Sequence, residues 1–231
     1  MIRLSVKSKR LNNEEEGRVL KFLYKYSTII MTENILDIIW DVDGLIEAIE
    51  SSKQEKAIEY ETKYNELIGK ICYKNCDTNA YAKIAIEPMI LENYTREDIE
   101  KYVEKLNRRM KNCKYTCRDI EIPPCDDYIY SYFLFHKKYI GCTRKILYRL
   151  SDTIKNTLLE QAPLRWYTML NGLGAYGTTF FDDDYKGIAM YNSDAEIELL
   201  LTEEQFEEFK KLNVPYKIEE ADEYKAYYYP N

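Results

Sequence analysis

Three consecutive carboxylates, Asp182, Asp183 and Asp184, lie just beyond the run Gly172-Leu173-Gly174-Ala175-Tyr176-Gly177. Adjacent carboxylates repel one another, and a divalent cation relieves that repulsion; Mg²⁺ favours such oxygen ligands. With a further carboxylate from Asp194 or Glu196, the group could support a metal-dependent enzyme acting on nucleotides or phosphodiesters. The glycine run has the G-x-G-x-x-G form, but a dinucleotide loop must follow a strand and open a helix. Here the helical residues Leu164 to Leu170 come first and Thr178 to Asp184 do not read as a helix. A helix C-cap at Gly172 and a solvated acidic turn at 182–184 account for both features. The single histidine, His136, excludes any site that needs two. No catalytic set is expected.

The cysteines offer a second chemistry. Cys72 and Cys76, and Cys113 and Cys117, form two pairs with three intervening residues, and together could give a structural zinc four thiolates. Cys125 could replace one of them. Neither pair has the glycine-bearing turn of a zinc knuckle, and a buried free thiol packs as a small hydrophobe. No cofactor is expected, with Mg²⁺ or structural zinc as the alternatives.

A third constellation is basic and aromatic. Arg108, Arg109 and Lys111 precede Tyr128, Tyr130 and Tyr132, and Lys137 and Lys138 follow, with Arg144, Lys145 and Arg149 beyond. Residues two apart on a strand share a side, so the three tyrosines should form one aromatic face. Such a face flanked by cations can stack RNA or single-stranded DNA. It can equally be cross-strand packing.

The elements that would position these groups divide the chain. Residues 1–9 alternate as a strand, and 14–26 read as a helix with an acidic first turn. Ile35, Ile38, Ile39, Val42, Leu45, Ile46 and Ile49 have helical spacing, as do Ala57, Tyr60, Tyr64, Leu67, Ile68 and Ile71. The two stretches suggest an antiparallel helical hairpin whose outer faces carry Glu47, Glu50, Glu55, Glu59 and Glu66. Further on, strands are expected at 83–90, 114–122, 128–135 and 185–191, with helices at 95–110 and 146–158. That order matches the split βαβ of a ferredoxin-like sheet with helices on one face. A last strand at 195–201 leads into a capping box, Thr202-Glu203-Glu204-Gln205, and a helix to about Leu212. The expected class is α+β: a mainly helical region over 1–76 and an α+β domain over 77–231, with a single continuous domain as the alternative.

The chain has 231 residues, 45% hydrophobic and 32% charged, which excludes wholesale disorder. No run is long and apolar enough for a membrane helix, and no signal-peptide core opens the chain, so a reducing cytoplasmic setting is expected. The net charge is −7, unevenly spread: residues 100–150 hold twelve Lys and Arg against six Asp and Glu. Twenty-three tyrosines supply rigid, amphipathic contact area. These features together lead to an intracellular, non-enzymatic interaction protein, an inhibitor encoded by a phage or mobile element. Its partner would be a protein or nucleoprotein complex with a basic surface, such as nucleic-acid-processing machinery.

Overall fold

The computed structural model describes residues 1–35, 41–51, 56–72, 87–88, 91–110, 122, 124–136, 141–160, 178–191 and 196–218. Their centre is one antiparallel sheet. In chain order its strands are β1 (Ile2–Lys7), β2 (Ile29–Ile35), β3 (Glu87–Pro88), β4 (Tyr128–His136), β5 (Gly141–Arg149), β6 (Thr179–Phe181), β7 (Gly187–Tyr191), β8 (Glu196–Leu201) and β9 (Lys217–Ile218). In space the order is β3-β4-β5-β2-β6-β7-β8-β1-β9. The helices are α1 (Asn13–Tyr26), α2 (Val42–Ser51), α3 (Ala57–Cys72), α4 (Arg96–Met110), α5 (Asp152–Glu160) and α6 (Glu203–Lys210).

The α+β class holds, but residues 83–191 do not make a self-contained ferredoxin-like sheet. β2 pairs with β5 on one side and β6 on the other, so a strand from the first 76 residues lies among the strands of the later region. Residues 141–149, whose second half falls in the expected helix 146–158, form β5; the helix starts only at Asp152. Ile35 ends β2, and the helix expected from that residue starts at Val42. Residues 114–121 of the strand expected at 114–122, and the glycine run 172–177, lie outside the described residues; Ile122 itself is not in a strand.

Helices cover both faces of the sheet, not one. Ile30, Phe180, Leu199 and Leu201 pack with α1, α5 and α6 on the first face. Ile29, Met31, Leu147, Phe181 and Met190 pack with α3 on the second. Successive strand residues point oppositely, so Ile29-Ile30-Met31 and Phe180-Phe181 put apolar area on both sides and need two layers of cover. Phe133, opposite in direction to Tyr132, anchors a third cluster with Leu45 and Ile49 of α2 and Ile99, Val103 and Leu106 of α4. The expected helical hairpin is therefore divided: α2 packs with α4, and α3 lies on the other face of the sheet.

Local chemistry fixes the ends. Asn12 and Glu15 form a reciprocal capping box on α1, as Thr202 and Gln205 do on α6. Each satisfies backbone N–H groups that the first helical turn cannot. Gly187 on β7 is required by close approach: a Cβ there would fall 2.2 Å from a methyl of Leu67 on α3.

Candidate functional site: a buried charge cluster beneath helix α3

Helix α3 turns Ala57, Tyr60, Tyr64 and Leu67 toward the sheet, as the helical spacing predicts. Glu61 falls inside that stripe and is buried with it. Below it, β5 brings Lys145 onto the same sheet face as Leu147, and β2 contributes Glu33, directly opposite Lys145 in the ladder. β4 adds Tyr132, the other register neighbour of Lys145. Four elements thus converge on one ammonium.

The Lys145 Nζ lies 3.1 Å and 3.3 Å from the two carboxylate oxygens of Glu61 and 3.4 Å from Oε1 of Glu33. It also sits 3.2 Å from the ring centroid of Tyr64, a cation–π contact. The Tyr132 hydroxyl donates to Glu61 Oε2 at 2.9 Å. Side-chain exposure is 1% for Lys145, 4% for Glu61 and 7% for Glu33. Burial pushes the Glu33 carboxyl up to about 7; the Lys145 ammonium opposes this, the Glu61 carboxylate adds to it, and Tyr64 pulls it back. Tyr132 is driven well above its ordinary range, by burial first and by the Glu61 charge second. The arrangement can hold charge and a proton. Sealed as it is, it presents no reacting atom to a substrate.

The tyrosine face is not open to bases. A bulge between Tyr128 and Tyr130 breaks the two-residue alternation, so Tyr128 stands opposite Tyr148 while Tyr130 stands opposite Leu147. Tyr128 is 44% exposed, whereas Tyr130 and Tyr132 are buried under α3. Both lie against the Tyr60 ring, at 5.0 Å and 6.4 Å between centroids. The Lys56 backbone N–H donates to the Tyr130 hydroxyl at 2.9 Å. Those two rings are core.

The basic stretch is likewise not a continuous cationic face. On α4, Arg96 pairs with Glu100 and Asp43, Lys101 with Glu97, and Arg108 with Glu104. Lys145 is inside the protein, and Arg144 donates to the Ser131 hydroxyl at 3.1 Å while lying over the Phe133 ring. Lys111, Lys137 and Lys138 and the side chain of Arg109 lie outside the described residues.

Asp182, Asp183 and Asp184 form the β6–β7 hairpin turn. Asp182 Oδ1 accepts the backbone N–H of Asp184 at 3.0 Å and of Lys186 at 2.8 Å, and Tyr185 takes a positive φ of 57°. Asp184 pairs with Lys186 at 3.1 Å. Backbone donors thus occupy the first carboxylate, as in an Asx turn. Glu196 begins β8, opposite the far end of β7, roughly 15 Å away along a five-residue strand, and is paired with Lys7. It cannot join the three aspartates at one ion. Among the described residues no three His, Cys, Asp or Glu side chains are grouped to hold a metal. Of the zinc candidates, Cys76, Cys113, Cys117 and the side chain of Cys72 lie outside the described residues; Cys125 is a free thiol.

Of the acidic candidates, Glu47 and Glu50 are exposed on α2 and Glu59 and Glu66 on α3. The two pairs sit on helices covering opposite faces of the sheet. Glu59 is paired with Lys63 at 3.0 Å; Glu55 lies outside the described residues. Residues 41–51 contain four carboxylates and no cation of their own. Asp41 caps Gly44 and Asp43 meets Arg96, which leaves Glu47 and Glu50 facing solvent.

Sequence reasoning missed Glu33 and Glu61, and it placed Lys145 among the cations flanking the tyrosines rather than in a buried cluster. A glutamate within an apolar helical stripe and a lysine in phase with Leu147 were the available signals, and both pointed inward. Comparison of the chain with known protein families, characterised proteins and solved structures finds no match.

Proposed function

We propose that this chain is a non-enzymatic interaction protein that sets the acidic outer face of α2 against a basic surface of a protein or nucleoprotein partner. The reading extends to an inhibitor of nucleic-acid-processing machinery, of phage or mobile-element origin, working in a reducing cytoplasm. One contrast carries it: the Glu33–Lys145–Glu61 cluster is sealed beneath α3, while Glu47 and Glu50 stand exposed without an ion pair among the described residues. Chemistry needs reach to a substrate; docking needs only surface. Such a contact is a rim of exposed charge, so it governs encounter and weakens with salt. No helix among the described residues is long and apolar enough to cross a membrane, and none is needed for this role.

The test is recovery of the tagged full chain from its native host at low and at high salt, beside the Glu47→Gln/Glu50→Gln variant. Protein, nucleic acid and metal in the eluate are identified together. A basic partner held at low salt, shed at high salt and weakened by the variant is the expected result. A partner retained equally by both chains at both salts overturns docking through α2.

A further inference from the structure

The cluster beneath α3 is unbalanced in charge. Two carboxylates, Glu33 and Glu61, face a single ammonium, and all three side chains are at least nine-tenths buried. Leaving the uncompensated charge in place is costly, because little water remains to solvate it. Glu61 has the better share of the donors: both its oxygens meet Lys145, and one also accepts the Tyr132 hydroxyl. Glu33 has the longest of the Lys145 contacts, at 3.4 Å, and the Tyr64 hydroxyl beside it, and burial outweighs both. The odd charge therefore falls on Glu33.

We propose that the Glu33–Lys145–Glu61 cluster is a proton-binding lock for α3. With one proton on the Glu33 carboxyl, the buried charges balance and α3 seats firmly on the sheet; loss of that proton leaves a bare negative charge under the helix and loosens it. The groups that face Glu33 come from every packed element. They are Lys145 on β5, Glu61 and Tyr64 on α3, and Tyr132 on β4. Among the described residues, the other charged groups on this side of the sheet are exposed Arg149, four residues along β5 from Lys145, and Arg3, Lys7, Glu196, Glu198 and Lys217 on β1, β8 and β9, beyond β6 and β7 in strand order. Glu59 and Lys63 pair with one another on the other side of α3.

The sign follows from linkage. The folded-state carboxyl is raised from 4.5 to about 7, so the folded chain holds the proton more tightly than the unfolded one. The stability this provides is fully present below 4.5 and is lost as pH rises through 7. From about pH 5 to about pH 8, this one group should raise the unfolding equilibrium constant on the order of 50-fold.

The experiment uses the full chain, wild type and Glu33→Gln, in urea unfolding across that pH range, with hydrogen exchange read separately on α3 and α1. The wild type should show the pH-dependent loss, and α3 amides should lose protection relative to α1 once intrinsic exchange is corrected. Glu33→Gln should flatten both. Parallel pH profiles for the two chains, or unchanged α3 protection, overturn the lock. Should the variant fail to fold, infrared difference spectra of the wild type decide it. A protonated carboxyl band that persists above about pH 6 and then titrates supports the lock, since ordinary carboxyls are ionised by then; its absence refutes it.

Discussion

Lys145 shows how much depends on where a charge points. In the sequence it belongs to a run of cations that looks solvated; in the fold, strand alternation turns it inward between two carboxylates. Buried ion pairs often add little net stability, because desolvation offsets the Coulombic gain, but removing one partner is severe. Lys145→Met should leave Glu33 and Glu61 buried with no cation and cost about 3–5 kcal/mol in urea unfolding at neutral pH. The loss should shrink in mild acid as the Glu33 carboxyl takes up its proton. Combining it with Glu33→Gln and Glu61→Gln should recover part of the stability, because no charge then remains to be solvated. A Lys145→Met chain as stable as the wild type would mean that the ammonium carries no weight.

Helix α3 connects that cluster to the rest of the sheet. Its inner stripe spans Ala57 to Leu67, and the far end rests on Gly187, where the backbone of β7 comes close enough to exclude a side chain. Gly187→Ala would drive a Cβ into Leu67 and lift the helix end, an overpacking cost of about 1–3 kcal/mol. Trimming the opposing residue, as Leu67→Ala, should cost less in the Gly187→Ala background than in the wild type, since the two changes fill and empty one space. Strictly additive losses in a double-mutant cycle would show that the contact is not where the strain falls. The inner stripe of α3 was readable from periodicity and the capping box of α6 from its residues, whereas the Asn12–Glu15 box of α1 went unread. The strands β2 and β5 were not readable. Thr32, Glu33 and Asn34 follow the apolar run Ile29-Ile30-Met31 and mask the rest of β2, and Arg144-Lys145 makes β5 look like the polar lead-in to a helix starting at Ile146. Both misreadings have one cause: a charged residue is read as a solvent-facing one, and here its cover comes from α3, far away in sequence. The same blindness to long-range cover made Tyr130 and Tyr132 look available for stacking. The bulge that turns Tyr128 to the opposite face leaves no mark in a strand of alternating aromatics.

For the whole molecule, strand order sets the cooperativity. β1 pairs with β8 from Ile2 opposite Leu201 to Lys7 opposite Glu196, so the two ends of the described chain meet inside the sheet. β2 lies between β5, paired along seven positions, and β6, paired along three. Contacts so distant in sequence carry a large loop-closure cost before they return any stabilisation, which favours slow, all-or-none folding. A fragment of residues 77–231 would keep β3 through β9 but lose the strand that joins β4–β5 to β6–β7–β8. It would expose the nine-residue edge of β5 and uncover Leu147, Phe181 and Met190, since α3 departs with β2. Unpaired edges beside bare apolar area recruit other chains. The fragment should therefore aggregate or melt without a sigmoidal transition by circular dichroism, and adding residues 1–76 should restore soluble, cooperative material. The intact chain should give coincident transitions by tyrosine fluorescence and far-ultraviolet dichroism, because neither half has a complete core. A sharp, reversible transition from 77–231 alone would show that β5 and β6 can close on each other without β2, and that the first 76 residues add to a finished fold rather than complete it.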